Sequence, residues 1–189
     1  FVNVDFKWKF KLPLLITLLV SLIYQIQFVV VYTPLYKTQA KDSNKEKGEN
    51  TLSLLVVNVR MENEDKESFH KLVQNTNPDI LLINEPDQVW AMSIAKLDQD
   101  FPYAMKYPLE NTYGMILLSK FQLTESKVNF LVKDDIPSIF TKITLPSGVK
   151  IDFYGVHPEP PKPGTDTYER DTELLLIGKK IKDSKYPTI

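Results

Sequence analysis

The sequence predicts a domain of mixed α/β structure carried behind one membrane-length helix. Two observations lead there. An apolar stretch without a charge runs from Leu12 to Pro34, and beyond it short runs of β-forming residues alternate with segments of helical periodicity. The composition, 43% hydrophobic and 25% charged over 189 residues, is that of an ordinary folded chain, and what remains after the helix suffices for one domain with its own core. The absence of cysteine excludes disulfides, thiol nucleophiles and Cys-ligated zinc, and leaves the redox compartment open.

The stretch LPLLITLLVSLIYQIQFVVVYTP (12–34) holds only Gln25 and Gln27 as strongly polar interruptions, and its length is about the ~20 residues a helix needs to cross a bilayer. A secretory signal has a shorter apolar core and a small-residue cleavage site, which this segment lacks. Trp8 and Phe10 before it, and Tyr32 and Tyr36 after it, suit the two interfaces. Lys7, Lys9 and Lys11 precede the helix in a basic segment, 1–11, while Lys37, Lys41, Lys45 and Lys47 follow it, so the positive-inside rule does not orient it. Residues 35–50 read as a flexible tether, polar and charged from Lys37 on. The folded domain is expected over 51–189. Outside the first eleven residues the chain holds 20 basic and 23 acidic side chains, so no general attraction to a nucleic-acid backbone is built in.

Within the domain, LSLLVV (52–57) reads as a buried strand with Asn58 at its carboxyl edge. Phe69, Leu72 and Val73 share a face of a helix over 66–75, which Asn77-Pro78-Asp79 stops before a second strand, Ile80–Ile83. Trp90, Ile94 and Leu97 mark a helix over 87–99, closed by Phe101-Pro102 before more strand. Further strands are expected at 114–119, 127–132, 138–145 and 149–156, the last two forming a hairpin across Pro146-Ser147-Gly148. After a proline-rich loop, 157–164, a helix over 166–182 carries Leu174, Ile177 and Ile181 on one face and leads into a final strand at Pro187-Thr188-Ile189.

In sheets with crossover helices, ligands gather beyond the carboxyl ends of strands, and the polar residues that end the apolar runs are Asn58, Glu85 and His157. A carboxylate is the hard oxygen ligand that Mg²⁺ or Mn²⁺ prefers, an amide can hold a phosphate oxygen or orient a water, and an imidazole can donate to a phosphoryl oxygen or exchange a proton. Each also has a plain structural reading, as a turn former, a helix-capping or solvated carboxylate, and a loop residue stiffened by Pro158.

Four segments, LLVVNVR (54–60), PDILLINEPDQVW (78–90), YGMILLSK (113–120) and FYGVHPEPP (153–161), stand in an order and spacing that resemble the endonuclease/exonuclease/phosphatase superfamily. The anchor followed by Tyr32-Thr33-Pro34-Leu35-Tyr36 resembles its membrane-anchored bacterial branch. The resemblance implies a four-layer α-β-β-α sandwich, two sheets face to face with helices outside, that hydrolyses phosphodiesters or phosphomonoesters with Mg²⁺ or Mn²⁺. It implies that Asn58 lies by the phosphate and attacking water, that Glu85 is the metal ligand, and that His157 contacts the scissile phosphate. Gly114 and Ser119 would be structural, Trp90 a packing residue and His70 a surface residue. The family's later G-D-x-N and S-D-H segments are absent, which is read as truncation, with the domain incomplete and this fragment inactive on its own. An unpaired strand edge and exposed apolar sheet surface should follow.

Substrates consistent with this reading are nucleic acid, a phospholipid head group or a small phosphorylated molecule, met at a membrane that the single helix engages. No protein partner can be inferred. The domain is expected outside the cytoplasm, from the resemblance alone. The competing reading is a non-catalytic binding or scaffolding module on the same fold.

Overall fold

The computed structural model describes residues 8–37, 48–161, 164 and 166–189. Most of the expected basic segment (1–11), the greater part of the expected tether and part of the proline-rich loop fall outside these. The chain divides into two units, Phe1–Lys45 and Glu46–Ile189.

The first unit carries α1 (Trp8–Val29), extended by a 3₁₀ turn over Val30–Tyr32. Its side chains from Phe10 to Val29 are exposed all round, and the span Phe10–Tyr32, 23 residues, is long and apolar enough to cross a membrane. A helix that is apolar on every face finds no buried partner in water, which makes it a candidate membrane span.

The second unit contains β1 (Leu54–Asn58), α2 (Lys66–Thr76), β2 (Ile80–Asn84), α3 (Gln88–Ile94) with a 3₁₀ turn at Ala95–Leu97, β3 (Tyr103–Tyr107), β4 (Met115–Ser119), β5 (Gln122–Phe130), β6 (Pro137–Thr144), β7 (Lys150–Gly155) and α4 (Tyr168–Asp183). The strands form two sheets, ordered β1-β2-β4-β3 and β5-β6-β7. β1 and β2 are parallel, as a strand-helix-strand crossover requires, and every other adjacent pair of strands is antiparallel.

The period of two along a strand divides β2 and β4 between two cores. Leu81, Ile83, Ile116 and Leu118 face the helices, packing with Phe69 and Val73 of α2 and Trp90 and Ile94 of α3. Ile80, Leu82, Met115 and Leu117 face the other sheet and meet Ile139, Ile143 and Phe153. This is why both strands read as continuous apolar runs and not as alternating ones. On the outer face of the second sheet, Ser138 Oγ donates to Glu173 Oε1 of α4 at 2.8 Å and Lys180 Nζ lies 5.4 Å from the Phe140 ring centre. The layers are therefore helix, sheet, sheet, helix.

Capping residues fix the helix starts. Asp65 accepts from Ser68 N at 3.0 Å and Asp87 from Trp90 N at 2.7 Å. Asn77, at φ 42°, ends α2 in the left-handed conformation. The Asp79 carboxylate accepts from Ser53 N and Ser53 Oγ, both at 2.7 Å, tying the starts of β1 and β2 together.

Several expectations are corrected. The expected strands did not include β3, whose YAMKY pattern is polar because it lies at a sheet edge, where Lys106 pairs with Asp98 at 2.6 Å. β5 begins at Gln122, five residues before the expected start, because its polar half pairs through an irregularity between Thr124 and Lys127, with Glu125 at φ 52°. Of the predicted α4 face only Ile177 is buried. Leu174 is 48% exposed, and Glu173 takes the inward position at 4%. His70 is partly buried, with Nε2 3.0 Å from Ser93 Oγ, and burial followed by the Lys96 charge holds it below the ordinary histidine range. The hairpin at Gly148 (φ 84°) matches expectation, while the expected final strand is reduced to an isolated parallel bridge of Thr188 to Asp152. β1 lies at its sheet's edge, and Val56, on its inter-sheet face, is exposed.

Burial raises the Glu173 carboxyl above its usual range, while the Ser138 hydrogen bond and the nearby His157 oppose that shift. A carboxyl raised in the folded state weakens folding as pH rises from the unfolded value through the folded one, and the penalty is absent below both. Glu173→Gln removes the ionisation and keeps an acceptor for Ser138. Its thermal midpoint should gain on the parent as pH rises above the ordinary glutamate range and not below it, and a gain that does not change with pH contradicts this.

Candidate active site

Parallel pairing of β1 with β2 sets Asn58 opposite Asn84 at the carboxyl ends of both strands. β4 begins at the same edge, with Met115 opposite Asn84. β7, in the second sheet, ends at Gly155 and delivers His157 two residues later.

Glu85 follows Asn84 and adopts φ 64°, the left-handed region, although it is neither glycine nor asparagine and stands before Pro86. Such a conformation costs roughly 1–3 kcal/mol and persists only where its surroundings impose it. Here Glu85 N donates to Gly114 O at 2.9 Å and Leu109 N donates to Pro86 O at 3.1 Å. The same approach explains Gly114: a Cβ there would sit 2.0 Å from Pro86 O and 2.7 Å from Leu109 N. Asn111 shapes the loop before it, accepting from Tyr113 N at 3.1 Å and donating to Asp135 O at 3.0 Å.

The turn brings the Glu85 carboxylate to two nitrogen donors. Asn58 Nδ2 donates to Glu85 Oε1 at 2.5 Å, and His157 Nε2 lies 3.3 Å from the same oxygen. Asn58 Oδ1 accepts from Arg60 N at 2.9 Å, an Asx-type turn that fixes which end of the amide faces Glu85. All three residues singled out from the sequence thus meet at one oxygen. The Glu85 and His157 side chains remain 19% and 22% exposed, so the cluster is open to a ligand. The Tyr113 ring lies 5.9 Å from that of His157, and burial, then the Glu159 charge, raises its hydroxyl above the ordinary tyrosine range. Beyond His157, Glu159 pairs with Lys133 at the wall of a cleft of ≈ 400 Å³ that Arg170 also lines.

Sequence reasoning missed Asn84 and Tyr113. Asn84 is only 8% exposed, and its Oδ1 is buried with no hydrogen-bond partner. Its signal was present, a polar residue closing a strand buried along its whole length and preceding Glu85, but the charged neighbour drew the inference. Among the described residues no group of three or more His, Cys, Asp and Glu side chains could hold a metal. The oxygen donors at hand are the Glu85 carboxylate and the Asn84 Oδ1 that lacks a partner, a hard-oxygen pair of the kind Mg²⁺ or Mn²⁺ takes.

The sheets and the outer helices form an α-β-β-α sandwich with a polar cluster at one edge. The family model described as Endonuclease/Exonuclease/phosphatase family matches residues 55–189, and the chain belongs to that family. Solved structures share the fold. Humanized D. rerio TDP2 with 14 mutations is 17% identical with a TM-score of 0.62, covering 72% of this chain and 58% of that one. D. rerio TDP2 complexed with a single-strand DNA product is 16% identical (TM-score 0.57; 72% and 57%). An endonuclease/exonuclease/phosphatase from Bacteroides vulgatus is 13% identical (TM-score 0.57; 70% and 60%). The chain therefore spans somewhat over half the length of these structures. No curated protein matches it.

Gly114→Ala should destabilise the domain by about 2–3 kcal/mol, as overpacking against fixed backbone does, measured by denaturant unfolding. A loss of less than about 0.5 kcal/mol, the size of an ordinary surface substitution, would mean that Pro86 and Leu109 yield freely.

Proposed function

We propose that the domain, over 51–189, is part of a membrane-anchored phosphoesterase that acts with Mg²⁺ or Mn²⁺. The observation that carries this reading is the convergence of Asn58, Glu85 and His157, from three strand ends, on one carboxylate oxygen. Glu85 is the residue that holds the cation. Asn58 Nδ2 and His157 Nε2, which share the Glu85 oxygen, are donors of the kind that hold a phosphoryl oxygen. His157 can also pass a proton at Nε2. A bound divalent cation supplies charge stabilisation at phosphorus and a more acidic water.

Family membership supports phosphoester hydrolysis, and the DNA product bound by the D. rerio TDP2 structure favours a phosphodiester in nucleic acid among the possible substrates. A phospholipid head group or a small phosphorylated molecule is the alternative substrate, in keeping with the candidate span at Phe10–Tyr32, which we read as an anchor of the membrane-anchored bacterial branch with the domain outside the cytoplasm. With Glu85 as the one carboxylate that Asn58 and His157 share among the described residues, residues 51–189 alone are expected to be inactive. That same paucity favours a second reading, a binding module that uses the fold without turnover.

The test is hydrolysis of an activated phosphodiester by the whole gene product. Glu85→Ala should lower turnover by roughly 10²-fold or more and raise the Mg²⁺ needed. His157→Ala should slow turnover by about 10²-fold with little change in thermal midpoint. Unchanged hydrolysis in both variants removes these residues from the site, and no hydrolysis by the parent favours the binding module.

A further inference from the structure

Asn84 is the buried polar residue at this edge whose side chain the fold does not explain. It ends β2, is over nine-tenths buried, and its Oδ1 meets no donor. A buried amide oxygen left unpaired costs about 1–3 kcal/mol, so the position favours something that fills it from outside the chain. The register narrows what that is. Asn58 and Asn84 are partners on adjacent parallel strands, so their side chains leave the sheet on the same face, about 5 Å apart. Asn58 turns its amide to Glu85 and to Arg60 N and makes no hydrogen bond to Asn84 Oδ1. Across β2, the opposing residue is Met115, whose thioether donates nothing.

An unpaired carbonyl oxygen at the strand end that also carries the carboxylate of the next residue is a site for positive charge or for a donated proton. A phosphodiester offers acceptors only, and its oxygens would repel Oδ1. A hydrated divalent cation offers both a charge and donor waters, and Mg²⁺ in particular keeps several of its waters when bound. We propose that Asn84 is a positioning residue of the cation site, its Oδ1 turned to the hydrated ion that Glu85 holds. This rests on the reading of Glu85 as the metal-holding residue. Loss of such an outer contact typically lowers metal affinity by about 10–100-fold.

Titration of Mn²⁺ against the whole chain in detergent micelles, followed by the electron paramagnetic resonance signal of free Mn²⁺, reads this without recourse to activity. Asn84→Ala should weaken binding about tenfold or more. Asn84→Asp, which keeps the acceptor and adds charge, should bind at least as tightly as the parent. Glu85→Gln should bind least. Equal affinity in Asn84→Ala and the parent, with binding still lost in Glu85→Gln, would overturn the role of Asn84 and leave the cation site standing. If Glu85→Gln binds like the parent, or the parent binds no Mn²⁺, the reading of Glu85 fails and this inference fails with it. A purely structural Asn84 would change the thermal midpoint without changing Mn²⁺ affinity, which also overturns the proposal.

Discussion

The site depends on one constraint, the left-handed backbone at Glu85. An extended residue there would carry the chain straight on into Pro86 and send the carboxylate elsewhere. The turn is held from behind by Gly114, whose carbonyl takes the Glu85 N–H and whose missing side chain admits Pro86 O. β4 therefore does more than fill the sheet: its first residues brace the turn that presents the acid. Strain of this kind survives because the sheet behind it is close-packed, with Ile83, Met115 and Ile116 all fully buried.

The sandwich explains why donors from distant parts of the sequence meet. Asn58 and Glu85 come from adjacent parallel strands of one sheet, and His157 follows the last strand of the other. Packing of Ile80, Leu82, Met115 and Leu117 on Ile139, Ile143 and Phe153 sets the two sheets face to face, which closes 72 residues of separation between Glu85 and His157 to 3.3 Å. The inter-sheet core and the site are thus coupled, and substitutions that loosen the former would be felt in the latter.

Much of this was legible in the sequence. Hydrophobic periodicity located the membrane-length helix, the β1-α2-β2 crossover, the hairpin and α4, because burial on two faces writes continuous apolar runs and helical faces write spaced ones. It failed where burial is weak. The β3 edge strand and the first half of β5 are polar because they lie at the margins of their sheets, and Glu173 entered the core as a carboxyl satisfied by Ser138, which no periodicity announces. Asn58, Glu85 and His157 were legible as polar residues at strand ends, and the fold brings them together. Asn84 and Tyr113 were not, since their part depends on register and ring position, which only the folded chain supplies.

Whether Glu85 is the point where a divalent cation binds can be read from diffraction by crystals soaked in Mn²⁺. An anomalous peak within bonding distance of a Glu85 carboxylate oxygen, next to Asn84, is the predicted result. No peak at Glu85, with its carboxylate still shared by Asn58 and His157, would contradict cation binding there and leave the cluster a structural clasp.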